Sequence, residues 1–89
     1  MTFRDRVQVV HRVLQPGRAD ASKAGWFLTE LRKAGIYWSR ASLYNWLNGR
    51  YPPPEEVEGV LRILEADCLL EHEAEYERAR KNLLRRKKK

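Results

Sequence analysis

The sequence predicts an all-α protein of four to five helices, because apolar residues recur at helical spacing along most of the chain and cap or turn residues separate the runs. Its 89 residues leave room for one small core, which is marginal without good packing or a partner. We divide the chain into a helical domain over residues 1–66 and an amphipathic C-terminal helix with a basic tail over residues 67–89.

The first predicted helix begins after Thr2, a suitable N-cap, and ends before Pro16. Its apolar stripe consists of Phe3, Val7, Val10 and Leu14. The arginines off this stripe predict a solvated face, with phosphate contact as the alternative; they are Arg4, Arg6 and Arg12. His11 has no acid or cysteine at ligand spacing, so we expect it to have neither a metal-binding nor a catalytic role.

A second helix starts after Ser22, or after Asp20, and ends near Gly35. The predicted buried face consists of Ala24, Phe27, Leu28, Leu31 and Ala34. Because free N–H groups at a helix start favour anions, Ser22 and Lys23 are candidate phosphate contacts, the alternative being a capped and solvated end.

The segment after the second helix is predicted to be a tight turn. Gly35 can take the left-handed conformation without steric cost, and Ile36 is apolar enough to pack between two helices. Tyr37 and Trp38 either pack against Trp46 or present one ring to a ligand.

A short third helix, about two and a half turns long, lies between Ser39 as N-cap and Gly49 as C-cap. An apolar ridge at i, i+3 and i+4 predicts an inward face, formed by Leu43, Trp46 and Leu47. The opposite face carries side chains that can reach base edges and phosphates, namely Arg40, Ala41, Tyr44, Asn45 and Asn48.

Pro54 suits the first position of a fourth helix, whose predicted inner face consists of Val57, Val60, Leu61 and Leu64. Asp67 is the predicted N-cap of a fifth helix from about Cys68 to Arg86, and one bent or continuous helix is the alternative. Cys68 is expected to be a small core residue. The fifth helix has a seam that either pairs with a second copy or packs on the chain's own core: Leu69, His72, Tyr76, Ala79 and Leu83.

The charged residues are segregated along the chain. Residues 1–54 hold nine lysines and arginines against three acids, residues 55–77 hold nine acids against Arg62 alone, and residues 78–89 hold eight bases and no acid. Clustered cations gain most from counterion release, so the two basic segments are the predicted polyanion-binding surfaces. The acidic strip from Glu55 to Glu77 is expected to face away from a polyanion.

The order of motifs resembles a known family. The run L-Y-N-W-L-N-G, followed by a proline-containing turn and an amphipathic helix, resembles the recognition helix and exit of the lambda-repressor-like helix-turn-helix family, which includes Cro and xenobiotic-response-element-type repressors. A more local likeness over residues 2–65 is similar to the mycobacterial EspR-type branch of that family. It consists of T-F-R-D-R-V, P-G-R, L-R-K-A-G-I and S-x-x-S-L-Y.

The resemblance implies that Arg40, Ala41 and Ser42 occupy the base-contacting first turn of a recognition helix and that Asn48 contacts phosphate. From its chemistry, Arg40 can donate two hydrogen bonds to guanine, Asn45 can pair with adenine, and Tyr44 can contact phosphate or a thymine methyl. The further predicted phosphate contacts are Arg50, Arg85, Arg86 and Lys87.

The sequence therefore predicts a sequence-specific regulator that binds double-stranded DNA, is cytoplasmic and nucleoid-associated, and acts as a homodimer without membrane attachment, cofactor or metal. An enzyme is not expected, because no nucleophile and base, paired carboxylates or Gly-rich phosphate loop is recognisable. The alternative is a protein-interaction module that docks through the acidic strip, or the DNA-recognition subunit of a larger complex.

Overall fold

The computed structural model describes residues 1–18 and 22–87. Within these ranges the chain forms five α-helices and one short 3₁₀ turn, without strands, and the predicted all-α class is confirmed. The elements are α1 (Phe3–Leu14), the 3₁₀ turn (Pro16–Arg18), α2 (Lys23–Lys33), α3 (Arg40–Leu47), α4 (Glu55–Glu71) and α5 (Glu73–Lys87). No helix in the described part of the chain combines the length and the apolar character that a membrane crossing needs.

The predicted N-caps form as expected at the starts of α1, α2 and α3. Thr2 accepts a hydrogen bond from the backbone N–H of Asp5, whose carboxylate accepts one from the N–H of Thr2 in return, a capping box. Ser22 and Ser39 each accept a hydrogen bond from the backbone N–H three residues ahead, at 3.2 Å and 3.1 Å. Asp20, the alternative cap of α2, lies outside the described residues.

Two glycines follow the second and third helices, one before and one after the predicted recognition helix. Gly35 has φ of 80° and Gly49 has φ of 75°, and no other described residue has a positive φ. Residues with a side chain rarely adopt this backbone conformation, so both turns favour glycine. The turn at Gly35 reverses the chain after α2, so that α3 can pack against α2.

The core lies where the apolar faces of all five helices meet. The inward ridge predicted for α3 is confirmed, since Leu43 is fully buried and Trp46 and Leu47 are nearly so. Trp38 packs edge-on against Trp46 with ring centroids 5.3 Å apart, which is one of its two predicted roles, whereas Tyr37 is exposed. The fully buried large side chains are Val7, Val10, Phe27, Leu31, Leu43, Val57, Leu61 and Cys68.

The predicted start of the fifth helix at Asp67 is wrong. The fourth helix continues through Cys68 to Glu71, and the break comes at His72, where the backbone leaves the helical region. Cys68 is buried as predicted, because it continues the inner face of α4. Pro54 is the N-cap of α4 and not its first residue. No Gly or Pro lies near His72 in the sequence, so no helix-breaking residue marks this break.

The seam of α5 packs on the chain's own core. Tyr76 is 5% exposed, and Ala79 and Leu83 pack against the buried cluster. Their neighbours in α1 include Val9 and Val13, which are buried although they lie off the predicted stripe of that helix. Intramolecular packing is thus the alternative that the structure adopts for this part of the seam.

An ion-pair network joins α1 to α4. Arg6 contacts the carboxylate of Glu58 at 3.0 Å and that of Glu65 at 2.7 Å, and all three side chains are largely buried. Hydrogen bonds to Glu65 and then Glu58 raise the pKa of the Arg6 guanidinium above its ordinary value. The predicted solvated or phosphate-contacting role of Arg6 is therefore wrong. The sequence does not show the pairing, because the two partners of Arg6 are 52 and 59 residues away.

The network predicts that Arg6 contributes much more to the free energy of unfolding than Arg62 does. Arg6→Met leaves two partly buried carboxylates unpaired, so we expect it to lower the free energy of unfolding by about 2 to 3 kcal/mol. Arg62 bridges Glu55 at 3.5 Å with both side chains mostly exposed. We expect Arg62→Met to change stability by less than about 0.5 kcal/mol. Urea unfolding followed by circular dichroism measures both, and equal losses would contradict the role assigned to Arg6.

Candidate nucleic-acid interface

The outward face of α3 presents the side chains predicted to contact bases. Arg40 and Ala41 are exposed, and Tyr44 is 44% exposed. Ser42 and Asn45 are half-buried. Since the apolar ridge of α3 is turned inward, this face is the more exposed side of the helix.

Ser42 has a local structural role. Its backbone N–H donates to the hydroxyl oxygen of Ser39, and its own hydroxyl oxygen accepts a hydrogen bond from the Ser39 hydroxyl at 3.0 Å. One accepting position of Ser42 is therefore occupied by the N-cap of the helix. The side chain of Arg40, the first residue of the helix, has no hydrogen-bond partner among the described residues.

The guanidinium of Arg40 reaches back over the start of α2. A side-chain carbon at Gly25 would lie 3.6 Å from Nη2 of Arg40, in ordinary van der Waals contact. No carboxylate in the described residues forms a salt bridge with this guanidinium. Its position beside the N-cap Ser22 brings the start of α3 and the start of α2 onto one surface.

A cavity of about 530 Å³ lies next to this surface, where α1, α2, α3 and α5 meet. We call it the cationic cavity. It is lined by Arg4, Gln8, His11, Arg12, Ser22, Lys23, Ala24, Tyr44, Leu47, Asn48 and Arg86. Four of these residues are bases and none is an acid. The fourth helix contributes no residue to it.

The positive charges around the cavity form no ion pair with any described carboxylate. Among the described side chains, Arg4, Arg12, Lys23 and Arg86 form no salt bridge. Ser22 adds the start of α2, where helix N–H groups and the helix dipole favour negative charge. The cavity is therefore suited to bind a phosphate or another anion.

The floor of the cavity differs from its rim. His11, Ala24 and Leu47 are buried, whereas the arginines, Ser22, Tyr44 and Asn48 are exposed. His11 is the only polar side chain of the floor. Its imidazole packs on the ring of Trp26, with centroids 5.2 Å apart. Burial lowers the pKa of this imidazole below its usual value, and the charge of Lys23 lowers it further.

The structure brings together five of the predicted site residues at the cationic cavity: Ser22, Lys23, Tyr44, Asn48 and Arg86. Four others belong to the α3 surface outside it, namely Arg40, Ala41, Ser42 and Asn45. Arg50 is exposed beyond Gly49, and Arg85 is exposed near the end of α5. The side chain of Lys87 lies outside the described set.

The sequence predicted phosphate contact only as the alternative for Arg4 and Arg12, and it indicated no site at Gln8 or His11. Arg4, Gln8 and His11 follow one another at i, i+4 and i+7, so they share one helix face, and Arg12 lies beside it. This polar stripe, which lies beside the apolar one on the helix, was the available signal. Sequence alone does not show that the stripe faces α2 and α3, because that depends on the packing of distant helices.

Several carboxylates of the acidic strip make intramolecular contacts. Glu58 and Glu65 bind Arg6, and Glu56 accepts a hydrogen bond from the indole N–H of Trp38 at 3.1 Å. Glu77 contacts Arg80 at 3.4 Å. These contacts tie the strip to the fold.

In the described ranges, no three His, Cys, Asp or Glu side chains are grouped as a metal site requires. No protein-family model matches the chain, and no curated protein or solved structure matches it either. The site must therefore be interpreted from its own geometry and charge.

The burial of His11 predicts a specific pH dependence of stability. In the unfolded chain a histidine takes up its proton near pH 6.5, whereas folded His11 stays neutral to lower pH. The unfolded state therefore binds more protons, and acidification from pH 7 to pH 5 destabilises the fold by up to about 1.4 kcal/mol per pH unit through this group. Urea unfolding at several pH values should show a shallower acid loss for His11→Gln, and identical slopes would contradict the prediction.

Proposed function

We propose that the protein is a sequence-specific regulator that binds double-stranded DNA, with α2 and α3 as a helix-turn-helix of the lambda-repressor-like type. The observation that carries the proposal is that the cationic cavity, whose described arginines and lysine form no salt bridge, lies directly beside the exposed face of α3. A base-reading surface bordered by a phosphate-binding surface is the combination that groove recognition requires.

In this proposal the exposed face of α3 enters the major groove, which is wide enough for an α-helix. Arg40 reads guanine through two parallel hydrogen bonds, and the neighbouring Ala41 offers a methyl group to thymine. Tyr44 and Asn45 lie one turn further along the same helix. The absence of a bulky side chain at Ala41 lets the helix start approach the base edges closely.

The cationic cavity then receives the DNA backbone on one side of the groove. Tyr44 and Asn48 belong to both α3 and the cavity rim, so a phosphate held there is next to the bases that α3 contacts. The start of α2 supplies Ser22 and Lys23, as expected where the first helix of the motif crosses the backbone. Arg86 adds a contact from the C-terminal helix.

A homodimer on a pseudo-palindromic site agrees with the dimensions of the subunit. The described chain measures 31 × 30 × 23 Å. Half-sites one helical turn apart are separated by about 34 to 36 Å along one face of the duplex. Two subunits can therefore occupy adjacent half-sites without overlap. The apolar seam of α5 is used within the subunit, so dimer contacts on DNA would come from another surface.

Substitution of Arg40 tests the base-reading role. After selection of bound duplexes from a random pool, we expect Arg40→Ala to lose about 1 to 3 kcal/mol of discrimination at one base pair per half-site and to keep most non-specific affinity. The matched control is Arg62→Ala, which removes an exposed arginine on α4. Fluorescence anisotropy on preferred and altered duplexes measures the difference. An unchanged preference would refute the assignment.

Neutralising the cavity rim tests the phosphate-binding role. We expect Arg12→Gln and Lys23→Gln each to weaken binding to all duplexes by a similar factor and to reduce the slope of log affinity against log salt by about 1. Lys33→Gln is the control in the same helix, because Lys33 is exposed, lies at the far end of α2 and pairs with Glu30. A salt slope equally reduced by the control would contradict the placement of the phosphate.

A further inference from the structure

The most informative feature outside the base-reading surface is His11. The residue is only 4% exposed, and no described residue forms a hydrogen bond with its imidazole. Its ring nitrogens are not among the fully buried polar atoms that lack a partner, so they remain open to solvent. The imidazole lines the cationic cavity, so a group bound there is within its reach.

The charges around His11 come from every helix that packs near it. Arg4 and Arg12 belong to α1, Lys23 to α2 and Arg86 to α5, and the hydroxyl of Tyr44 comes from α3. On its other side, a second cavity brings Glu30 and Lys33 of α2 near the ring, and these two form a salt bridge with each other at 3.5 Å. Among the described residues, positive charge thus exceeds negative charge around His11.

We propose that the cationic cavity is a phosphate-binding site in which His11 takes up a proton from solvent and donates a hydrogen bond to the bound phosphate oxygen. An anion in the cavity offsets the charges of Lys23 and the arginines, which otherwise oppose protonation. The phosphate thereby converts the imidazole from a neutral, unpaired group into a cation with a partner. No covalent bond forms or breaks, and the proton is the only species exchanged with solvent.

Two sources can supply this phosphate group: the backbone of duplex DNA, or a free phosphate. For the duplex, the inference rests on the proposed function, whereas the site itself does not depend on it. The phosphodiesters of a duplex do not titrate near neutral pH, so duplex binding tightens as the pH falls from 8 to 6, by up to about tenfold per pH unit for one proton. Inorganic phosphate itself titrates in this range, so its signature is a raised pKa of His11 in the bound state.

The direct test is an NMR titration of the full chain. The Cε1–H resonance of His11 is followed from pH 5 to pH 8 with a selected duplex, with inorganic phosphate, and with neither. We expect the pKa of His11 to rise in at least one of the two bound states. His72 is the internal control, because it is the other histidine and lines a different cavity. This measurement needs no variant and is unaffected by folding defects.

Calorimetry in buffers of different ionisation enthalpy gives the second measurement, the number of protons taken up per binding event. We expect uptake by the wild-type protein and by His72→Gln, and its loss in His11→Gln. Uptake with the duplex alone assigns the site to backbone phosphate. A raised pKa of His11 with inorganic phosphate but no duplex binding would support the site and refute the proposed function. Duplex binding without proton uptake or a pKa change at His11 would overturn this inference and leave the proposed function standing.

Discussion

The arrangement of charge in this protein depends on the pairing of Arg6 with Glu58 and Glu65. The pairing holds α1 against α4. It neutralises two carboxylates of α4, the most acidic helix, where α4 packs against the basic N-terminal half of the chain. Without such partners, two carboxylates this close would repel each other and lose solvation. Arg6 thus holds α4 on one side of α1. The other side of α1 lines the cationic cavity.

The opposite side of α1 shows the consequence. Arg4 and Arg12 face a cavity to which α4 contributes nothing, so their charges remain available for a ligand. The same helix therefore serves two purposes with the same residue type. Arg6 is neutralised and contributes to stability, whereas the other two arginines stay unpaired and contribute a positive potential. Their difference lies entirely in which helix each one faces.

Sequence predicted those features that depend on neighbouring residues. Ser22 and Ser39 cap helices, and Gly35 takes a positive φ, because each effect acts within a few positions. The inward ridge of α3 was equally predictable from its spacing. The pairing of Arg6, the burial of Val9 and the break at His72 were not, because each depends on how distant helices pack. The cationic cavity belongs to this second group, although the sequence identified five of its residues.

The fifth helix links stability to the candidate site. Tyr76 is buried against the core, and the helix then runs along α1 until Arg86 reaches the rim of the cavity. The same packing that buries Val9 and Val13 therefore determines where the C-terminal charge is held. A helix that was free in solution would bring its arginines to a polyanion at an entropic cost, whereas a docked one presents Arg86 in a fixed place. A change that loosens α5 from α1 would thus act on the proposed phosphate binding by moving Arg86, even where it leaves every charge in the chain intact.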